Sequence, residues 1–227
     1  VRLFHRADAM NYEPLIEKLM QHYTSSRYMP EVESAKGDFF ERAGTFDEAS
    51  LDFELKMAQF TDWYIFLRKM DSTGRPAIEA VLDDSSFPLT EEDRPQYLNL
   101  RNSRHSLFEF QKVKGDDVYI RDLFTGFKYV IRHSRVNQGF SKDEYFEARL
   151  IPHDGSFVFS NAFTFHSAVI SKFILKEVKR VNKLPEEEQA TAREELIARL
   201  FKMKHKHEQY RHLDIHQIYS NESKLRI

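Results

Sequence analysis

Cysteine is absent from this chain of 227 residues. Disulfide frameworks, thiolate zinc sites and cysteine nucleophiles are therefore excluded. Glycine is scarce at 7 residues, and the chain has no glycine-rich phosphate loop, no Gly-x-Ser-x-Gly elbow and no His-Glu-x-x-His pair. The lack of cysteine is typical of a reducing compartment, so we expect a cytoplasmic protein. With no catalytic motif at a recognised spacing, we expect no cofactor.

Long apolar runs are missing as well. The longest are a few residues, far short of the ~20 that cross a bilayer, so no membrane span is predicted. Charged side chains interrupt the first thirty positions, which leaves no secretory apolar segment there. Hydrophobic residues make up 41% of the chain and charged residues 31%, which is typical of an ordinary folded protein.

The two halves of the chain differ in charge. Residues 1–100 contain 11 basic and 19 acidic side chains, whereas residues 101–227 contain 23 basic and 17 acidic ones. A basic half can meet nucleic acid or an acidic protein surface, or it can contact the acidic half of its own chain. Because acids are interspersed among the basic residues, we favour the second interpretation.

The spacing of apolar residues divides the chain into three segments. Residues 1–102 have a helical period and predict helices over 11–23, 30–43, 47–70, 76–82 and 90–101. Residues 103–160 alternate with period 2 and predict strands at 107–113, 118–121, 127–132, 145–151 and 157–159. Residues 161–227 return to the helical period at about Phe163 and predict helices over 169–181 and from Pro185 to about Tyr219.

The turns between the strands are short and contain glycine at Gly115, Gly126 and Gly155. The sequence therefore predicts an α+β protein with an N-terminal helical segment, an antiparallel central sheet and C-terminal helices. The central sheet should be a small barrel or a strongly bent sheet of about five strands. We expect the three segments to form one cooperative unit.

Basic residues gather around the central segment and suggest a nucleic-acid surface. Small β-barrels bind single strands through basic groups and exposed aromatic rings. The candidates here are Arg101, Arg104, His105, Arg121, Arg132 and Arg135. The alternative is that the rings fill the sheet's own core and the arginines pair with nearby acids.

Histidines in the last segment suggest a weak metal site. On a continuous helix Glu208, His212 and His216 would follow at intervals of four and share one face. Three such turns extend over ~12 Å, so the three residues cannot share one ion. A solvated polar helix face is the favoured interpretation, and no metal is predicted.

Short motifs along the chain resemble those of a known group. They are Phe60-Thr61-Asp62-Trp63-Tyr64, Ser103 with Ser106-Leu107-Phe108, Arg121 to Gly126, Phe146-Glu147-Ala148-Arg149-Leu150 and Phe163-Thr164-Phe165-His166. Through them the chain resembles a family of uncharacterised bacterial proteins of the deltaproteobacterial type. The resemblance covers about residues 10–220 and implies no assigned activity.

Three functions follow as hypotheses. The first is a non-enzymatic interaction or regulatory protein whose helix face or sheet edge binds another protein, with homo-oligomers left open. The second is nucleic-acid binding through the basic β segment. The third is an enzyme or small-ligand protein with a pocket between sheet and helices that uses His105, His133, His153 or His166. A deep polar pocket with a perturbed histidine would favour the third.

Overall fold

Helices form the first segment, as its apolar period predicts. A computed structural model describes residues 11–43, 53–142 and 144–221. The helices of this part are α1 (Glu13–Tyr23), α2 (Met29–Ala43), α3 (Phe53–Phe66), α4 (Ala77–Ala80) and α5 (Arg94–Arg101). Leu15, Leu19 and Tyr23 recur on one face of α1, and all three are buried. The portion of the third predicted helix before Phe53 lies outside the described residues.

A five-stranded antiparallel sheet forms the second segment. Its strands are β1 (Arg104–Lys114), β2 (Asp117–Asp122), β3 (Lys128–Ile131), β4 (Tyr145–His153) and β5 (Ser156–His166). The spatial order is β3-β2-β1-β4-β5. Asp154 and Gly155, which join β4 to β5, have φ values of 44° and 70°. Positive φ at both central residues is the geometry of a tight hairpin turn, so this predicted turn is confirmed.

The sheet does not close into a barrel, and that alternative of the prediction is not confirmed. Strands β3 and β5 are its two edges and share no hydrogen-bonded ladder. The edges nevertheless meet, since the Ser156 hydroxyl donates to the Val130 carbonyl at 3.0 Å and the rings of Tyr129 and Phe157 lie 5.2 Å apart. The sheet is therefore curved enough for its edges to touch through side chains.

The two faces of the sheet have different neighbours. One face carries an aromatic cluster in which Phe146 contacts Phe108 and Phe163, and Phe140 from the β3–β4 connection covers it. The bulky rings on this face therefore fill the concave side of the curved sheet. The opposite face carries Leu107 and Tyr145, which pack against the C-terminal helices.

The C-terminal helices are α6 (Ser171–Val181), α7 (Glu186–Gln209) and α8 (Ile215–Ile218). Two predictions here are wrong. The helical period was expected from Phe163, but β5 continues to His166, because Phe163 and Phe165 alternate with Thr164 and His166 at the strand period. The last helix was expected to reach about Tyr219, but α7 ends at Gln209 and a turn precedes α8.

The first and last segments meet across the sheet. Helix α2 packs on α7, where the rings of Phe39 and Phe201 lie 5.6 Å apart. Phe201 and Ile151 join the same buried cluster as the N-terminal helices. Residues from all three segments therefore pack together in one buried cluster.

Candidate functional site

A cavity of about 440 Å³ lies between α2, α3, α7 and the helix-covered face of the sheet. Its apolar lining consists of Phe39, Trp63, Leu67, Ala162, Ile197, Ala198 and Phe201. Its polar lining consists of Gln59, Asp62, His105, Glu147, Thr164 and Glu194, with Ser34, Asp38, Arg42, Arg68, Lys69 and Asp71 also bordering it. The volume lies within the range of small-molecule sites, and the lining is more polar than is usual for them.

Strand register brings the polar residues of the floor together. His105 of β1 faces Arg149 of β4, and Glu147 of β4 faces Thr164 of β5. Residues two apart on a strand share a face, so Glu147 and Arg149 lie on the helix-covered side while Phe146 and Ala148 lie on the aromatic side. In sequence, the alternation of charged and apolar residues in β4 looks like a strand with one solvated face. In the structure, its charged face lies beneath helices instead.

His105 is the central ionisable group of the floor. Its Nε2 lies 2.9 Å from Glu147 Oε1 and its Nδ1 lies 3.4 Å from Glu194 Oε2. Burial alone would lower the pKa of His105, but the hydrogen bonds to Glu147 and then Glu194 outweigh it and raise the pKa to about 9. His105 is therefore an imidazolium at neutral pH, with both ring N–H groups engaged by carboxylates.

Glu194 responds to the same contact. Burial would raise its pKa, but the hydrogen bond from His105 and the charge of that ring lower it. As a cation His105 is a poor base, and both of its N–H groups already donate to carboxylates. The pair of carboxylates holds the ring at the edge of the cavity.

Asp62 and Arg149 form a buried ion pair beside the histidine. Arg149 donates from Nε at 2.9 and 3.1 Å and from Nη2 at 2.8 Å, and the side chains are only 5% and 9% exposed. Asp62 also accepts from Ser160 Oγ at 3.2 Å. The ring of Phe66 lies 4.1 Å below the guanidinium. This bidentate geometry fixes the floor between helix and sheet.

A bulge in β5 places Ser160 within reach of Asp62. Ala148 pairs with Phe163 and Leu150 pairs with Phe159, so two residue steps on β4 oppose four on β5. The extra residues bend β5 toward α3. The bulge therefore contributes directly to the polar floor.

Gln59 joins α3 to β5 through its amide nitrogen. Nε2 donates to the Phe163 carbonyl at 2.7 Å and to Thr164 Oγ1 at 3.1 Å. Gln59 Oε1 and Glu147 Oε2 are buried and accept no hydrogen bond within the described part of the protein. Two acceptors without partners beside a cavity are unusual, because buried polar atoms are nearly always paired.

The rim of the cavity carries further charges. The Arg42 guanidinium lies 5.3 Å from the ring of Trp63. Arg68 contacts Glu31 at 3.4 Å, Asp38 at 3.7 Å and Asp71 at 3.5 Å. Arg68 is thus compensated by carboxylates, and Arg42 covers the tryptophan face.

A larger cavity of about 660 Å³ lies on the other side of α3. Its lining includes Tyr12, Glu13, His133 and Arg135, and Asp62 borders both cavities. The smaller cavity contains the histidine with two carboxylates and the unpaired acceptors, so convergent chemistry rather than size identifies it as the candidate site.

The predicted nucleic-acid residues come from several elements of the fold. Arg101 and Arg104 are exposed near the start of β1, while Arg132 and Arg135 are exposed after β3. Arg121 pairs with Glu109 at 2.8 Å. His105 lies in the cavity floor instead, where two carboxylates engage its ring. Phosphate binding by the arginines stays a prediction.

The three metal candidates do not share a helix face, because α7 ends between Glu208 and His212. Glu208 contacts Lys204 at 2.9 Å and His205 at 3.0 Å, whereas His212 and His216 are exposed. Within residues 11–43, 53–142 and 144–221, no group of three ligating side chains that could hold a metal ion is found.

The other predicted histidines lie apart from the site. His133 is exposed, and His153 lies 3.4 Å from Asp154. His166 is fully buried with Nδ1 3.4 Å from the Tyr219 hydroxyl. Burial, with Lys204 and His205 nearby, lowers the pKa of His166 to about 3, so this ring is neutral. Of the four histidines, His105 alone borders the candidate cavity.

Sequence reasoning missed Gln59, Asp62, Glu147, Arg149 and Glu194 as site residues. Their contacts join positions far apart in the chain, such as Asp62 with Arg149, 87 residues apart. Several nevertheless lie in the short motifs that carry the resemblance: Asp62 and Trp63 in the first, Glu147 and Arg149 in the fourth, Thr164 in the fifth. That convergence is the signal that could have located the site.

Comparison with known proteins places the chain in a family. Residues 10–214 match the model of a family of unknown function, DUF7986, and the chain belongs to that family. No curated protein matches the chain, and no solved structure matches it. Among the helices of the described residues, none is long and apolar enough to cross a bilayer.

Proposed function

We propose that this protein binds a small polar molecule in the cavity between α2, α3, α7 and the sheet. The observation that carries the proposal is the His105 ring at the cavity floor, held by Glu147 at 2.9 Å and Glu194 at 3.4 Å. Beside it lie buried acceptors that have no partner among the described residues. A titratable group in a cleft whose pKa is shifted by specific partners marks a functional site more often than a titratable group on the open surface does.

The surrounding energetics support this assignment. Burying charges costs free energy even when they are paired, and apolar residues of similar volume often give equal or greater stability. His105 with its two carboxylates and Asp62, which is paired with Arg149, nevertheless border one cavity. Their joint presence is best explained by a polar ligand that they orient.

Protein interaction, the first hypothesis from the sequence, and nucleic-acid binding now rank below small-ligand binding. Both stay predictions. Protein interaction rests on an exposed helix face or sheet edge, and nucleic-acid binding rests on arginines of several elements. The small-ligand hypothesis alone is supported by a cavity in which several polar groups converge.

The single tryptophan of the chain makes a direct test possible, because Trp63 lines the cavity. A panel of small amines, alcohols, amides and carboxylates would be titrated to about 10 mM while Trp63 emission is recorded. At about 10 mM, even a ligand with a Kd of 1 mM, which corresponds to a binding free energy of only about 4 kcal/mol, occupies most of the sites and is detectable. We expect at least one chemical class to give a saturable change.

Two matched variants locate the response. Ala198 and Ala190 are both exposed on α7, but only Ala198 lines the cavity. Ala198→Phe should fill space and abolish the change, whereas Ala190→Phe should preserve it. No saturable response from any class, or equal responses in both variants, would overturn the proposal.

A further inference from the structure

The unpaired atoms of the floor define the chemistry of its occupant. Gln59 is 7% exposed, and neither its Oε1 nor Glu147 Oε2 receives a hydrogen bond from any residue that the structure describes. Both atoms are acceptors, and both residues line the same cavity. A ligand that satisfies them must bring N–H or O–H groups rather than further acceptors.

The donors of the floor are already engaged. Both hydrogens of the Gln59 amide are directed to Phe163 and Thr164. His105 uses both ring nitrogens on carboxylates, and Arg149 is bound by Asp62 and by Ser103 Oγ at 3.3 Å. Within the floor an anionic ligand would therefore have to displace an existing contact, whereas a donor group would complete the set. The one unpaired buried donor that the described residues place in the lining, Arg68 Nε, lies at the rim beside Asp38.

The net charge of the floor also favours a ligand that donates hydrogen bonds over one that accepts them. Three carboxylates, Asp62, Glu147 and Glu194, face two cations, His105 and Arg149. One negative charge is left over within the floor itself, whereas at the rim Arg42, Arg68 and Lys69 outnumber Asp38 and Asp71 by one. A charge-assisted hydrogen bond to a buried carboxylate such as Glu147 is stronger than one in water. A cation that also donates hydrogen bonds meets both requirements.

We propose that the ligand of this cavity carries a compact cationic nitrogen, an ammonium or guanidinium group, which donates to Gln59 Oε1 and Glu147 Oε2. The apolar stem of the ligand packs against Trp63, Phe39 and Phe201. This inference rests on the proposed function, because it assigns a chemical class to the same site.

Four probes with the same four-carbon stem test the assignment: butylammonium, butylguanidinium, butan-1-ol and butyrate. Their Kd values would be measured by Trp63 emission and by calorimetry on the full-length protein. We expect a cation to bind about tenfold more tightly than the alcohol, as hydrogen bonds to a charged partner allow, and butyrate to bind most weakly.

Variants then identify the acceptors. Glu147→Gln should weaken cation binding about tenfold and leave the alcohol unchanged. The matched control is Glu109→Gln, since Glu109 is also a half-buried carboxylate of the sheet in a contact with a cation, Arg121, but lies outside the cavity. Because Glu147→Gln also alters the contact to His105, Gln59→Leu provides a second test that retains the carboxylate, with circular dichroism to verify folding.

The outcomes separate the two proposals. If the alcohol or butyrate binds best and Ala198→Phe abolishes that binding, the cation assignment is wrong and the cavity remains a ligand site. If a cation binds equally well to the wild type and to both acceptor variants, the assignment is also wrong. If none of the probes, nor the wider panel, alters Trp63 emission, both proposals fail.

Discussion

The buried pair of Asp62 and Arg149 permits a quantitative prediction for stability. Asp62 accepts three short contacts from the guanidinium and one from Ser160, and both charged side chains are over nine-tenths buried. Asp62→Ala would leave the Arg149 charge buried without its partner, a change that costs about 3–5 kcal/mol. Because the Phe66 ring still faces the guanidinium, we expect a loss of about 3 kcal/mol, the lower end of that range.

Urea denaturation followed by far-ultraviolet circular dichroism measures this loss as a shift in midpoint at constant slope. Asp71→Ala is the matched control, because Asp71 contacts Arg68 at 3.5 Å but is 71% exposed. Its cost should stay within about 0.5 kcal/mol. The double variant Asp62→Leu with Arg149→Met should be more stable than either single change. An Asp62→Ala protein as stable as the Asp71→Ala protein would refute the reasoning.

Two further predictions concern pH and backbone conformation. The pKa of His105 is raised from 6.5 to about 9, so its protonation stabilises the fold fully below pH 6.5, and that gain, of the order of 3 kcal/mol, is lost as pH rises through 9. Denaturation at pH 6, 7.5 and 9.5 should show this decline in stability. The variant His105→Gln, which leaves Glu147, Glu194 and Arg149 around the position, should show a flatter dependence on pH. An equally steep decline in that variant would contradict the raised pKa of His105. Gly37 is exposed on helix α2 with open space around it, so Gly37→Ala should stabilise by about 0.5–1 kcal/mol. The same change at Gly155, where φ is 70°, should cost about 1 kcal/mol. Thermal melts that rank the two variants the other way would disprove the backbone argument.

Much of the fold follows from local pattern because its elements are set by neighbours in the chain. The recurrence of Leu15, Leu19 and Tyr23 and the hairpin glycine at Gly155 needed no tertiary information. Errors arose where the local pattern was ambiguous or silent. Phe163 to His166 alternates at the strand period although a helix follows closely. The end of α7 at Gln209 has neither glycine nor proline to announce it.

The site could not be located in the same way, because its contacts are long-range. His105 reaches Glu194 across 89 positions, and Gln59 reaches Thr164 across 105. In sequence, Glu147 and Arg149 look like the solvated half of an amphipathic strand. Whether that half meets water or a helix depends on how the sheet curves and where α3 and α7 cross it, which no local period encodes.

The curvature of the sheet also explains why the site lies on this face. The aromatic residues around Phe146 fill the concave side with their own rings, which leaves little space there for a ligand. The helices cover the other side, where His105 of β1 and Glu147 of β4 lie beneath α3 and α7 and line the cavity. A polar floor, an aromatic wall at Trp63 and acceptors without donors result from that arrangement. Since an unpaired buried acceptor costs about 1–3 kcal/mol, a fold that retains two of them beside a cavity is more stable once a donor-bearing ligand enters.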